Sequence, residues 1–166
     1  MEPGGKKVYE TLMKKIFQIC IVVTALFAGF SGAFAQPSVE WQTASNTLVG
    51  EGDMALADGD LPRALRFYEQ AVVSNPQNIE AYIGLGRLYM NARILADSLK
   101  YFDIALTLEP THLGTLELQS YAFLTTDAVD DARSNLAKME QICFDRDCDE
   151  TNRVSQAIED HLSEVQ

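Results

Sequence analysis

Apolar and small residues recur along the chain at the spacing of paired helices. Pro76 and Pro110 mark a repeat with a period of about 34 residues, and large, small and aromatic residues between them follow an ordered pattern. Small side chains at Gly86 and Ala105 allow two antiparallel helices to approach closely. The pattern therefore predicts helical hairpins, each closed by a proline.

The segment from Ile79 to His112 carries this pattern most completely. It resembles a tetratricopeptide repeat at these positions: Tyr82, Leu85, Gly86, Tyr89, Ser98, Phe102, Ala105 and Pro110. Only Ser98 departs from the family pattern, which has Ala at that place. The resemblance implies an all-α, right-handed array of helical hairpins.

Two weaker units flank this segment. The unit at 45–78 keeps its second helix, through Ala64, Tyr68, Ala71 and Pro76, and Asp60 before Leu61 and Pro62 is expected to cap that helix. The unit at 113–146 keeps Leu116, Phe123, Ala132 and Leu136, but lacks the final proline. Because each hairpin leaves an apolar side uncovered, about three are needed for a stable stack. We therefore predict units at 45–78, 79–112 and 113–146, after a lead-in at 36–44.

The tail at 147–166 has the composition of an acidic corner followed by a capping helix. Asp149 and Glu150 suit a helix start, where acidic groups complement the helix dipole. The apolar and amphipathic positions that follow at helical spacing are Val154, Ala157, Ile158, His161, Leu162 and Val165.

Residues 1–35 are predicted to be a cleaved signal peptide. Lys14 and Lys15 precede an apolar run at 16–30, which is shorter than the roughly 20 residues that a membrane-spanning helix needs. Ala33 and Ala35 give a small-x-small cleavage site that leaves Gln36 as the new terminus. Met13 is an alternative translational start. The expected location is the periplasm of a Gram-negative bacterium, with no stable membrane anchor.

Charge narrows the range of partners. The chain has 13 basic and 24 acidic residues, and 47% of its residues are hydrophobic, as in a globular domain. Removing residues 1–35 takes four basic and two acidic residues, which leaves 9 and 22 and a net charge of −13. Because such a surface repels phosphate backbones, we expect no nucleic-acid partner.

Three cysteines divide between the signal peptide and the mature chain. Cys20 leaves with the signal peptide, and the residues before it do not suit lipid attachment. Cys143 and Cys148 remain, and an exported pair favours a disulfide over free or metal-bound thiols. Exported bacterial tetratricopeptide proteins resemble this chain in having a cysteine pair before a last helix, although the glycine after their first cysteine is Phe144 here.

The sequence contains no recognisable pairing of a nucleophile with a base and no phosphate-binding loop. His112 and His161 are expected to be a turn residue and a capping-helix residue. Asp145, Asp147 and Asp149 alternate like the first ligands of a calcium loop, but the glycine and the bidentate glutamate of such a loop are missing. We predict a protein that is not an enzyme and has no metal or cofactor.

The resemblance also implies a ligand groove lined by the first helix of each unit, although each candidate could equally be an ordinary solvated residue. Tetratricopeptide domains that clamp chaperone carboxyl termini use Lys, Asn and Arg at set groove positions. Val49, Asp53 and Gly84 occupy three of those positions, so that specialised function is not supported. The groove candidates are Asn46, Val49, Asp53, Leu56, Glu80, Ile83, Arg87, Met90, Asn91, Glu117, Tyr121 and Leu124.

The predicted function is a non-catalytic adaptor or scaffold of the bacterial envelope that binds an apolar or basic peptide segment of an unidentified protein. A self-associating structural subunit, and hence a homo-oligomer, is the alternative. A thiol redox protein that uses Cys143 and Cys148 is a minor alternative, because the acidic neighbours raise thiol pKa values.

Overall fold

The computed structural model describes residues 39–164, which form seven helices and no strand. The predicted signal peptide at 1–35 and the tail residue Val165 lie outside this range. The helices are α1 Val39–Ala57, α2 Leu61–Ser74, α3 Ile79–Asn91, α4 Leu95–Leu108, α5 Leu113–Thr125, α6 Val129–Ile142 and α7 Asp149–Glu164. Helix α1 begins well before the first unit predicted at 45–78, so most of the predicted lead-in is helical.

The helices pair in chain order and stack. Helices α1 and α2, α3 and α4, and α5 and α6 form three hairpins. Helix α3 packs on both α1 and α2, α5 packs on α4 and α3, and α7 packs on α5 and α6. The structure therefore confirms the predicted all-α array of hairpins with a helix closing its end.

The turn within each hairpin uses the same backbone geometry. Gly59, Arg93 and Asp127 recur at the period of the repeat and have φ angles of 75°, 62° and 60°. Only the first is glycine, the residue that adopts this left-handed region without strain. Asp60 then caps α2 by accepting a hydrogen bond from the backbone N–H of Arg63 at 3.1 Å, as the sequence predicts.

The first two hairpins are held together through the ring of Tyr68, which is fully buried. This ring lies against Gly52 of α1 and Gly84 of α3, and a Cβ added at Gly52 would come within 2.6 Å of it. A Cβ at Gly84 would be closer still. In the second hairpin the ring of Phe102 lies against Gly86 in the same way. Helix approach thus depends on a missing side chain beside each ring.

Two apolar clusters fill the array. The first joins α1, α2 and α3 around Tyr68, Leu85 and Leu88. The second joins α5, α6 and α7, where Val154 is fully buried and Ile158 nearly so. Burial of these two residues covers the apolar side that the third hairpin would otherwise expose. Among the described helices, none is both long and apolar enough to cross a membrane.

Substitution of Gly84 tests this packing. We expect Gly84→Ala to lower the free energy of unfolding by about 1–3 kcal/mol, because the new methyl group must displace the buried Tyr68 ring. Gly50→Ala is the matched control, since no atom lies within 4 Å of a Cβ there, and it should raise stability by about 0.5–1 kcal/mol. Urea unfolding measures both, and equal effects at the two sites would contradict the packing.

Candidate functional site

The predicted groove residues lie on the first helix of each hairpin, α1, α3 and α5, which are neighbours in the stack. We call the surface that they share the groove face. Asp53, Arg87 and Tyr121 occupy equivalent places on the three helices, each one repeat period after the last. The fold therefore brings the candidates of all three units to adjacent helices.

Burial divides the candidates into two groups. Val49, Leu56, Ile83 and Leu124 are between 6% and 9% exposed, so their side chains belong mainly to the core. The structure thus places four candidates under the groove face and not on it, because they pack between neighbouring helices. The candidates left partly or fully exposed are Asn46, Asp53, Glu80, Arg87, Met90, Asn91, Glu117 and Tyr121.

A polar corner holds α1 to the start of α3. The amide nitrogen of Asn78 donates to the Ser45 hydroxyl at 2.8 Å and to the side-chain oxygen of Asn46 at 2.9 Å. Ser45 in turn donates to the Ala71 carbonyl at 2.9 Å, and the Asn78 oxygen caps α3 at Glu80. Asn46 is therefore committed to the scaffold. Asn78 precedes the helix, and this N-cap position was the signal available in the sequence.

Asp53 joins the core to the groove face. Its Oδ1 atom accepts from the Tyr68 hydroxyl at 2.8 Å and lies 3.2 Å from Nη1 of Arg87. Burial, reinforced by the hydrogen bond to Asp53, raises the pKa of Tyr68, so the hydroxyl remains a donor at neutral pH. Arg87 is about half exposed, and this contact orients its guanidinium across the two hairpins.

A carboxylate of α5 links the groove face to the capping helix. Glu117 accepts from Nε and Nη2 of Arg153 at 2.5 and 2.8 Å, a two-pronged ion pair, and from the Tyr121 hydroxyl at 2.9 Å. The hydrogen bonds from Arg153, opposed by burial and supported by Tyr121, hold the pKa of Glu117 below its usual value. Burial, reinforced by the bond to Glu117, raises the pKa of Tyr121.

A series of hydrogen-bonded polar side chains links α4, α5 and α6, and the sequence patterns did not predict it. Gln119 is almost fully buried, and its amide donates to Asp103 at 2.6 Å and accepts from Asn135 at 2.8 Å. Gln119 stands where the family pattern has leucine, and that departure was the signal. Within residues 39–164 every buried side-chain nitrogen or oxygen has a hydrogen-bond partner, so these groups serve the scaffold.

His112, His161, Cys143 and Cys148 lie in turns or towards helix ends. His112 caps α5 by accepting from the backbone N–H of Thr115, and His161 of α7 lies 2.9 Å from the carboxylate of Asp127. The sulfur atoms of Cys143 and Cys148 are 2.08 Å apart, which is the distance of a disulfide. In the part of the chain that the structure describes, no three His, Cys, Asp or Glu side chains converge on a possible metal site.

Comparison with known proteins agrees with this architecture. Residues 55–110 match the tetratricopeptide repeat family. The chain is similar to BBSome complex member BBS4 of Bos taurus, with 33% identity over 66 residues, and that stretch covers 40% of this chain but only 13% of the relative.

Solved tetratricopeptide domains share the fold. The first such domain of Spaghetti (RPAP3), bound to the HSP90 peptide SRMEEVD, superimposes with a TM-score of 0.64 at 13% identity, covering 74% of this chain and 95% of that one. The Sgt2 domain of Aspergillus fumigatus gives 0.65 at 18% identity, covering 78% and 83%. Together with the match at 55–110, these similarities support the predicted relationship to the tetratricopeptide family.

The Glu117 interaction predicts a pH dependence of stability. Because its folded pKa is lowered, ionised Glu117 stabilises the fold above its usual pKa of 4.5, and this contribution is lost as the pH falls through the lower, folded value. The excess stability of wild type over Glu117→Gln should therefore be largest above about pH 5 and shrink below 4.5.

Urea unfolding across this pH range measures that difference. Glu69→Gln, at an exposed position in the middle of α2, is the matched control and should follow wild type. A stability difference for Glu117→Gln that grows as the pH falls would contradict the assignment.

Proposed function

We propose that this protein is a non-catalytic adaptor whose groove face binds a segment of another protein. The observation that carries the proposal is the group formed by Arg87, Met90 and Tyr121, which leaves a charged, an apolar and an aromatic side chain partly exposed on adjacent helices. The rigid backbone below them limits the entropy lost on binding. The HSP90 peptide held by the similar RPAP3 domain supports this use of the fold.

The charges of the groove face favour an apolar or basic segment over an acidic tail. The guanidinium of Arg87 on this face is already paired with Asp53, and Glu117 of this face is paired with Arg153 of α7. Val49 and Gly84 hold two of the places where chaperone-clamping relatives present polar side chains, and both are buried. An incoming carboxylate would have to displace an existing ion pair in a strongly acidic protein.

Substitutions on the groove face test this function. We expect the triple variant Arg87→Ala, Met90→Ala, Tyr121→Ala to lose partner capture at least about tenfold, because it removes the exposed anchors. The double variant Arg66→Ala, Val73→Ala alters similar chemistry on exposed positions of α2 and should bind like wild type. Pull-down from cells of the source organism with mass spectrometry identifies the partner, and titration of that partner measures affinity.

Retention of full affinity by a folded triple variant would exclude the groove face. Circular dichroism checks folding, since Tyr121 also bonds Glu117. The alternative of a self-associating subunit predicts a concentration-dependent mass in size exclusion with light scattering. The minor redox alternative requires two reactive thiols, which a thiol titration would detect.

We also propose that the protein is exported to the periplasm of a Gram-negative bacterium and that its signal peptide is removed. The charged start, apolar run and Ala33-Phe34-Ala35 site support this proposal. A disulfide between Cys143 and Cys148 suits an oxidising compartment.

Fractionation and intact mass measurement test the export proposal. We expect the protein in the periplasmic fraction, with Gln36 as its first residue and no free thiol. The variant Ala33→Arg, Ala35→Arg, which removes the small residues of the cleavage site, should retain the unprocessed mass. Recovery of the unprocessed wild-type protein in the cytosol would contradict the export proposal.

A further inference from the structure

The turn after the third hairpin differs from the turns that follow the first two hairpins. The turns at 75–78 and 109–112 have equal lengths, and in both a proline follows the C-cap residue of the preceding helix. The turn at 143–148 is two positions longer, and Phe144 occupies the place of that proline, one repeat period beyond Pro110. The turn therefore departs from the repeat in two ways, by an aromatic side chain in place of proline and by two additional residues.

Local bonds brace this turn, which we call the Phe144 loop. Cys143 and Cys148 close it at disulfide distance, and the backbone N–H of Arg146 donates to the Cys143 carbonyl at 2.8 Å. Asn152 of α7 donates to the carboxylate of Asp147 at 2.9 Å. A loop fixed in this way loses little conformational freedom when its side chains bind a partner.

The ring of Phe144 points away from the array and is 92% exposed, compared with 57% for Trp41. Isolated exposed apolar residues are common on protein surfaces. Phe144 differs because it lies in a lengthened loop that a cross-link and hydrogen bonds brace, and because a side chain that is 92% exposed contributes little to packing. Rigid aromatic residues of this kind are typical anchors of protein interfaces, because burying one ring releases much water at low entropic cost.

The acidic residues near Phe144 indicate the charge of the surface that the loop would bind. Asp145, Asp147 and Asp149 follow Phe144 closely in the chain at exposed positions, whereas the guanidinium of Arg146 donates to the Ile142 carbonyl at 3.3 Å. The complementary surface is therefore an apolar pocket with lysine or arginine at its rim. A second copy of this acidic chain and an anionic membrane would both be repelled.

We propose that the Phe144 loop is a second docking surface, separate from the groove face, which inserts the Phe144 ring into an apolar, cation-rimmed pocket of a basic protein. It lies in a turn that follows α6, whereas the groove face lies on α1, α3 and α5. One chain can then contact two proteins at once, as an adaptor requires.

Binding of a defined cationic peptide to the full chain tests the proposal. The probe is a short amphipathic helix of leucine and lysine, and its leucine and glutamate counterpart controls for apolar binding alone. We expect Phe144→Ser to weaken binding of the lysine peptide at least about tenfold. Val73→Ser removes another highly exposed apolar side chain, at 82%, and should change affinity less than about twofold.

Further variants separate this surface from the groove face. The double variant Asp145→Asn, Asp147→Asn should bind the lysine peptide more weakly and with a smaller salt dependence. When Phe144→Ser is added to the triple groove variant, it should reduce peptide affinity as much as it does in wild type. Equal binding by wild type and Phe144→Ser would overturn the docking surface while leaving the groove proposal intact. Loss of the Phe144 effect in the groove variant would instead show that the peptide binds the groove face.

Discussion

The array depends most on the contact between the Tyr68 ring and the two glycines beside it. The ring fills the space between α1 and α3, and only residues without a Cβ allow the helices to close on it. Its buried hydroxyl donates to the half-exposed Asp53 and, through Asp53, helps to orient Arg87. One side chain therefore sets both the distance between the first two hairpins and the position of a charged group on the groove face.

The end of the array formed by α5, α6 and α7 is held by apolar packing together with an ion pair. Helix α7 has no hairpin partner, yet it buries Val154 and Ile158 against α5 and α6. The ion pair between Glu117 and Arg153 adds direction to this apolar contact, because two hydrogen bonds restrict the relative position of the helices. The polar exterior of α7 then ends the stack, which is the role of a terminal repeat.

The groove face lies between these two fixed ends, and several of its polar side chains are already hydrogen-bonded to neighbouring helices. Asn46, Asp53 and Glu117 were candidates for ligand contact, and each is bonded to a neighbouring element. This arrangement makes the face rigid and leaves Met90 and Tyr121 as its apolar contact groups. An adaptor built in this way would select partners by shape and apolar fit more than by new ion pairs, because its charges are already satisfied.

The period of the repeat by itself determined the hairpin array, because each unit repeats the same small and aromatic positions that two packed helices require. It also indicated the Asp60 cap, which depends on local bonds. Tertiary structure alone decided that Val49, Leu56, Ile83 and Leu124 are buried, since their exposure depends on how closely neighbouring helices approach. It also decided the pairing of Glu117 with the distant Arg153 and the exposure of Phe144, because both depend on where separate segments meet.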